Sequence, residues 1–431
     1  MMNPSAINEK TLLLVDAGYF LTREIASAIQ QEGHTLVVVT LSISAETPLK
    51  DSSPYDTFLD MIITAVEKCR PDALITINHL GFDLDGRLND LLEALELPSL
   101  VWYVDSPRYI FLDSLINVND RTGIFLWDDS YADWLGSLGF NKIHSLPLAT
   151  DPSIFNRGDL AAAMPSAAPL VFVGDSMTNA VEKAIALLPD SLRPNLTDIS
   201  EKIFSELAQR FLLSLSVPQY CKQPAWDVLK PIREAVKPMA SGTTWSPTLN
   251  GAHEHETADW LLVESALVLL ATKALRSKSL QSISQSPAVK PLTVYGDDGW
   301  KTALNGDTRI LPSVDYYHHL ADVYRQAGAI LNVTGVQMPR GLNQRCFDVP
   351  AAGGLLFTDE QADIANYFKP GEEVVTFADS DEMIDKWKFY RNHPDAGSRV
   401  ISQGRARVLA DHTYQRRIAE MVTVAEQWKL I

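Results

Sequence analysis

Cysteine is scarce in this chain. Its three residues, Cys69, Cys221 and Cys346, stand far apart in 431 positions, and no CxxC pair or zinc-type Cys/His spacing accompanies them. Neither a disulfide framework nor a structural metal is indicated. Long apolar runs are also missing. The brief run Leu12 to Val15 is too short for the core of a secretion signal, and no later run reaches membrane-spanning length. The expected location is therefore the cytoplasm, with no integral membrane segment. Positive charge is in deficit, because 37 lysines and arginines less 54 aspartates and glutamates leave −17. This argues against a general nucleic-acid or anionic-membrane surface. Glycine is sparse in the first turn, Asp16-Ala17-Gly18-Tyr19, which has one where a dinucleotide fingerprint has several; a Rossmann dehydrogenase is disfavoured.

What the chain does have is enough apolar material for two full cores, with 46% hydrophobic residues and a mean hydropathy of −0.04. In residues 1–152, short runs rich in β-branched residues alternate with helical patterns. Leu12 to Val15, Thr35 to Leu41, Asp72 to Ile77, Ser99 to Val104, Gly123 to Trp127 and Lys142 to Leu146 read as strands, and Phe20 to Gln31 as the first helix. Strands spaced by helices of this length predict a parallel, doubly wound sheet. The alanine-rich stretch with Gly158 and Pro165, residues 153–168, reads as a linker. A second α/β domain, 169–412, opens with the strand and glycine turn Pro169 to Gly174. It carries a helical insertion over about 179–279, a flexible loop at Pro238 to Glu254, and strands at Leu292 to Tyr295 and Thr308 to Leu311. Ser313 is expected to cap a helix containing Tyr317, Leu320, Val323 and Tyr324. Asp381 to Leu430 reads as helices broken at Pro394 and Gly404.

The most informative stretch is Ala329 to Thr358. Ala329 to Val333 and Leu355 to Phe357 fit buried strands, and Leu342, Cys346, Phe347 and Val349 to Ala352 fit a helix whose first turn carries Arg340 and Asn343. Ligands of such strand–helix–strand units bind where strand carboxyl ends meet helix amino termini. Arg340, Gly341, Asn343, Gln344, Arg345 and Asp348 would then surround one pocket. Arginine and amides suit a phosphate, and a carboxylate such as Asp348 suits a ribose diol, as a nucleoside diphosphate requires. Arg340 and Asp348 could equally pair with other side chains in an ordinary helix-capping network.

The spacing from Arg340 to Asp348 and the small run Ala351-Ala352-Gly353 resemble the donor motif of two-domain GT-B glycosyltransferases, in which two glutamates stand eight positions apart. Asp348 falls at the second glutamate and would hold the ribose; Arg340 replaces the first and is the expected catalytic residue, stabilising the leaving diphosphate by its positive charge. The wording RGLNQRCFDVPAAGG, then FKPGEEVVTFAD from Phe368 to Asp379, Gly404-Arg405 and His412-Thr413-Tyr414, resembles the narrower CgeB-like (spore maturation protein) family, where that arginine is usual. The resemblance is specific over about the last quarter of the chain. It implies two doubly wound Rossmann-like domains, a nucleotide-sugar donor in the second, an acceptor in the first, and transfer without a bound metal or other cofactor. Leu146 to Pro152 resembles the passage between the two domains, and residues 413–431 would return as a terminal helix to the first. The resemblance also brings Gly174, Asp175 and Ser176 towards the donor phosphates; Tyr295 and Gly296 would flank the base or sugar.

Loops after three expected strands of the first half hold its reactive residues: Asn78, His79 and Asp83; Asp105, Ser106 and Arg108; Asp128, Asp129 and Tyr131. His79 or Asp105 would serve as general base towards an acceptor hydroxyl. His79 reads equally as a loop histidine bonded to backbone, Asp105 as a turn residue before Pro107, and Asp128-Asp129 as a helix cap. The expected activity is glycosyl transfer to an unidentified acceptor. A nucleotide-sugar epimerase and a catalytically idle binding or assembly protein on the same scaffold are the alternatives.

Overall fold

A computed structural model describes residues 9–42, 53–110, 115–157, 163–165, 167–188 and 258–431. It forms two compact units, Met1–Leu148 with Thr413–Ile431, and Ala149–His412.

The first unit is a six-stranded parallel sheet of β1 (Thr11–Asp16), β2 (Thr35–Thr40), β3 (Ala73–Ile77), β4 (Ser99–Tyr103), β5 (Thr122–Leu126) and β6 (Ile143–Ser145), in the order β2-β1-β3-β4-β5-β6. Central strands β3, β4 and β5 are buried along their whole length, as expected of a sheet covered by helices on both faces. The helix Tyr414–Gln427 belongs to this unit. Its Arg417 is buried and donates to the carbonyls of Pro147 (2.8 Å) and Leu148 (3.1 Å), and Trp428 lies 5.3 Å from the Phe125 ring. Gly123 makes room for it, since a Cβ there would stand 2.7 Å from the indole.

The second unit is another six-stranded parallel sheet, with β7 (Leu170–Val173), β8 (Thr293–Gly296), β9 (Arg309–Pro312), β10 (Ala329–Asn332), β11 (Leu356–Asp359) and β12 (Val375–Phe377) in the order β12-β11-β10-β7-β8-β9. Its core gathers Leu170, Phe172, Leu331, Phe357, Trp300 and Trp387. The two sheets are the doubly wound architecture that the alternating pattern predicts. Helices Thr178–Ala186 and Ala258–Gln285 bracket the expected insertion. The remainder of that segment, with the expected loop at Pro238 to Glu254, lies outside the described residues.

Three local expectations are corrected. The helix after β10 begins at Arg345 and runs to Ala351, so Arg340 and Asn343 precede it in a loop. Side-chain bonds anchor that loop: Asn343 reaches Asn332 Oδ1 at 2.8 Å, and Arg340 pairs with Asp363. Ser313 caps no helix among the described residues. The following helix is Leu320–Gln326, because Asp315 draws the preceding residues into turns through the amides of His318, His319 and Leu320. Gly404 is no break either, lying inside the continuous helix Pro394–Asp411.

The reason for that glycine is close approach, since a Cβ there would stand 2.2 Å from the carbonyl oxygen of Glu373. Gly404→Ala gains roughly 1 kcal/mol of helix propensity and loses about 1–3 kcal/mol to overpacking against a backbone atom that cannot rotate away. Net destabilisation of up to about 2 kcal/mol is expected in urea unfolding; a raised midpoint would refute this account.

Candidate functional site

In each sheet the strand order reverses once, and open parallel sheets bind ligands in the crevice beyond the strand carboxyl ends at that reversal. In the second unit, β7 leads outward to β8 and β9 on one side, and β10 leads to β11 and β12 on the other, so the switch point lies between β7 and β10.

Two arginines meet there. Arg345 starts the helix after β10; its Nη1 donates to Asn332 Oδ1, and its guanidinium carbon lies 5.5 Å from the Phe172 ring centre. Gly174 leaves space for this side chain, as a Cβ would come within 3.1 Å of Arg345 Nη2. Arg276, from the long helix Ala258–Gln285, donates through Nη1 to the carbonyl of Asp175 at 3.1 Å and lies 3.2 Å from Met177 Sδ. Burial lowers the Arg276 pKa to about 10 and the like charge of Arg345 adds to the shift, opposed by Asp175 and Asp359. The Arg276 guanidinium stays protonated at neutral pH. The Nε atoms of both arginines are buried and find no hydrogen-bond partner among the described residues. Two cations with donors to spare at a strand edge have the chemistry that suits an anion.

The frame beneath them is polar and fully used. Asn332 is 0% exposed; its Oδ1 also accepts from Asn343, and its Nδ2 donates to Thr358 Oγ1 at 3.0 Å. Asp359 accepts from the Thr334 amide (3.0 Å) and hydroxyl (2.8 Å) and from Gln361 (2.9 Å). Burial raises its pKa, and the Thr334 bonds oppose the rise.

Among the residues expected at the donor site, Gly174, Asp175, Asn343 and Arg345 come together on this edge. Ser176 is buried beside it, with its hydroxyl and amide both on Asp297 (2.9 and 3.0 Å). The Tyr295 carbonyl accepts from Gly174 N at 2.9 Å. Gly296 is required by packing, because a Cβ would stand 2.4 Å from the Gly174 oxygen, the atom that the Trp300 indole also reaches at 2.8 Å. Arg340 forms an ion pair of 2.7 Å with the buried Asp363, and Gly341 lies buried in the same loop. Asp348 is 1% exposed and accepts from Thr150 (2.7 Å), Tyr316 (3.3 Å) and Gln344 (3.4 Å); Gln344 also donates to the Ala149 carbonyl. Sequence reasoning missed Arg276, Asn332 and Tyr316. Arg276 sits in an apolar helical stretch 101 positions from its partner Asp175, and no local pattern marks it.

In the first unit the order reverses between β1 and β3. Asp105 stands there, half-buried. Its Oδ2 accepts from the Tyr19 hydroxyl and from Asn78 Nδ2 (3.1 Å). Asn78 Oδ1 in turn accepts from the amides of Val104 (2.9 Å) and Asp105 (3.3 Å). Asn78 and His79 both hold left-handed backbone, φ 54° and 56°, a strain the surrounding bonds sustain. His79 is 6% exposed, with Nδ1 2.6 Å from the Tyr103 hydroxyl and its ring against Phe82. Burial pushes its pKa down to about 3. Asp128 caps the turn Asp129–Tyr131 through the Ser130 amide.

With this geometry described, comparison with known proteins adds a partial family match and a fold. Residues 276–423 match the family model described as glycosyl transferase-like. No curated protein matches the chain. Among solved structures, a sucrose-phosphate synthase from Thermosynechococcus elongatus superposes with a TM-score of 0.54 at 10% identity, covering 97% of this chain and 99% of that one. A glycosyltransferase from Rickettsia africae gives 0.52 at 9% identity, with 98% and 99% covered. Anabaena HepE in complex with UDP-glucose gives 0.51 at 8% identity, with 98% and 100% covered. At such identities the likeness is one of fold, and the fold is GT-B. Together with the carboxyl-terminal match, it supports a glycosyltransferase of that type.

The state of His79 has a measurable consequence. Its folded pKa lies far below the ordinary value near 6.5, so between about pH 6.5 and 3 the unfolded chain binds the extra proton and stability falls with pH. Each pH unit in that window costs up to roughly 1.4 kcal/mol from this group. The urea midpoint of wild type should therefore fall faster between pH 7 and 5 than that of His79→Gln; parallel falls would show that His79 is not held neutral.

Proposed function

We propose that the protein transfers a glycosyl group from a nucleoside-diphosphate sugar to an acceptor hydroxyl, and that it belongs with the CgeB-like glycosyltransferases its carboxyl-terminal motifs resemble. The observation that carries this reading is the pair Arg276 and Arg345 at the switch point of the second sheet. A departing nucleoside diphosphate gains negative charge as the glycosidic carbon–oxygen bond breaks. Two fixed guanidinium groups stabilise that charge in place, without a metal ion, which is electrostatic stabilisation of the leaving group. The glycine turn at Gly174 admits the phosphates to the strand end, and Asn332 holds Arg345 in the bonding orientation.

Arg340 and Asp348 enter this reading as positioning residues. Arg340 ties the loop before the helix to Asp363, and Asp348 fixes Gln344 and Tyr316. UDP is the first donor nucleotide to try, since Anabaena HepE was solved with UDP-glucose.

Thermal unfolding against UDP, GDP and ADP tests the donor site. A nucleotide at about 100 times its dissociation constant stabilises the native state by roughly 2.7 kcal/mol. Arg345→Ala and Arg276→Ala each remove a charge-assisted contact of about 1.5–3 kcal/mol, so affinity should drop about 10- to 100-fold. Equal nucleotide shifts in wild type and both variants would overturn the assignment of these arginines.

A further inference from the structure

The turn that follows β7, Gly174 to Thr178, uses nearly all of its backbone donors to hold itself in place. Gly174 N donates to the Tyr295 carbonyl at 2.9 Å, Ser176 N to Asp297 Oδ1 at 3.0 Å and Thr178 N to Ser176 Oγ at 3.2 Å, while Met177 N is taken by the Asp175 carboxylate. The Asp175 amide alone makes no hydrogen bond among the described residues, and Asp175 is exposed. The Asp175 carbonyl accepts from Arg276 at 3.1 Å, so the open amide belongs to the residue that this cation grips.

What clamps the turn comes from a different strand. The loop after β8 brings both carboxylate oxygens of Asp297 to Ser176, Oδ1 to its amide and Oδ2 to its hydroxyl (2.9 Å), and brings the buried Trp300 indole to the Gly174 carbonyl at 2.8 Å. Loop and turn lie so close that a Cβ on Gly299 would stand 2.2 Å from Ser176 Oγ. Ser176 is 0% exposed with its amide and hydroxyl both occupied, so it has no donor left for a ligand.

We infer that Asp297 is a positioning residue for the donor: it takes up the amide and hydroxyl of Ser176, and so fixes the turn with the Asp175 amide, beside Arg276, as its open donor to a phosphate oxygen. The assignment deepens the donor reading given above and rests on it. Asp297 touches no substrate here and acts through Ser176. A carboxylate accepting from an amide and a hydroxyl makes charge-assisted bonds, the stronger class. A turn held before the ligand arrives need not be ordered by it, which is preorganisation.

The test is isothermal titration of inorganic pyrophosphate into the purified protein, with urea unfolding of each variant alongside. Pyrophosphate presents the diphosphate of a donor without its base or sugar. Asp297→Ala should weaken binding about 10-fold. Asp297→Asn keeps an oxygen for the Ser176 amide and gains an N–H for its hydroxyl, so it should stay within about threefold of wild type. Ser176→Ala leaves the amide bond to Asp297 in place and should weaken binding about threefold. Combined with Asp297→Ala it should add nothing, because Ser176 and Asp297 act as one unit. A merely structural Asp297 would lower the urea midpoint of Asp297→Ala and leave the affinity of the folded protein unchanged, which would overturn the assignment. A further loss of about 10-fold when Ser176→Ala is added to Asp297→Ala would put Ser176 itself on the phosphate and overturn it as well. A wild type that binds no pyrophosphate would instead bring down the donor reading of this edge, and this one with it.

Discussion

Two like charges held side by side against a sheet edge are the constraint on which the carboxyl-terminal unit turns. Burial lowers the Arg276 pKa, and the like charge of Arg345 lowers it further. Such an arrangement persists only where the surrounding structure over-determines it. Here it does: Phe172 lies beneath one guanidinium, Asn332 bonds it, and the Asp175 carbonyl accepts from the other. In a chain of net charge −17, this local positive potential is what an anionic donor would recognise.

The amino-terminal unit solves a different problem with the same topology. At its reversal point it holds a carboxylate, anchored through one oxygen by Tyr19 and Asn78. The nearby histidine is driven into the core and kept neutral. One sheet edge thus gathers two cations, and the other a carboxylate.

Close backbone approach supports both arrangements, and a few glycines make it possible. Gly174 clears space for Arg345, Gly296 lets β8 meet the Gly174 carbonyl, and Gly404 lets a long helix touch the Glu373 carbonyl. Each would need a neighbour to move if it carried a Cβ. Conformation matters less at these positions than room, since none of the three has a positive φ.

The sequence by itself determined the strands and their hand. Runs of β-branched residues spaced by helical segments admit few arrangements other than doubly wound parallel sheets, because parallel strands need crossover connections. It also marked the strand–helix–strand stretch around Arg340 to Asp348, though it put Arg340 and Asn343 in the helix's first turn and not in the loop before it. Only the tertiary structure decided which side chains work together. Arg276 reaches Asp175 across 101 positions and Tyr19 reaches Asp105 across 86, separations over which periodicity carries no information. Burial was equally invisible beforehand. His79 and Asp348 look reactive as residues in loops or helix starts, yet their environments place them at 6% and 1% exposure. Whether a polar side chain faces substrate or core depends on what packs over it, and that is a property of the assembled sheet and its helices.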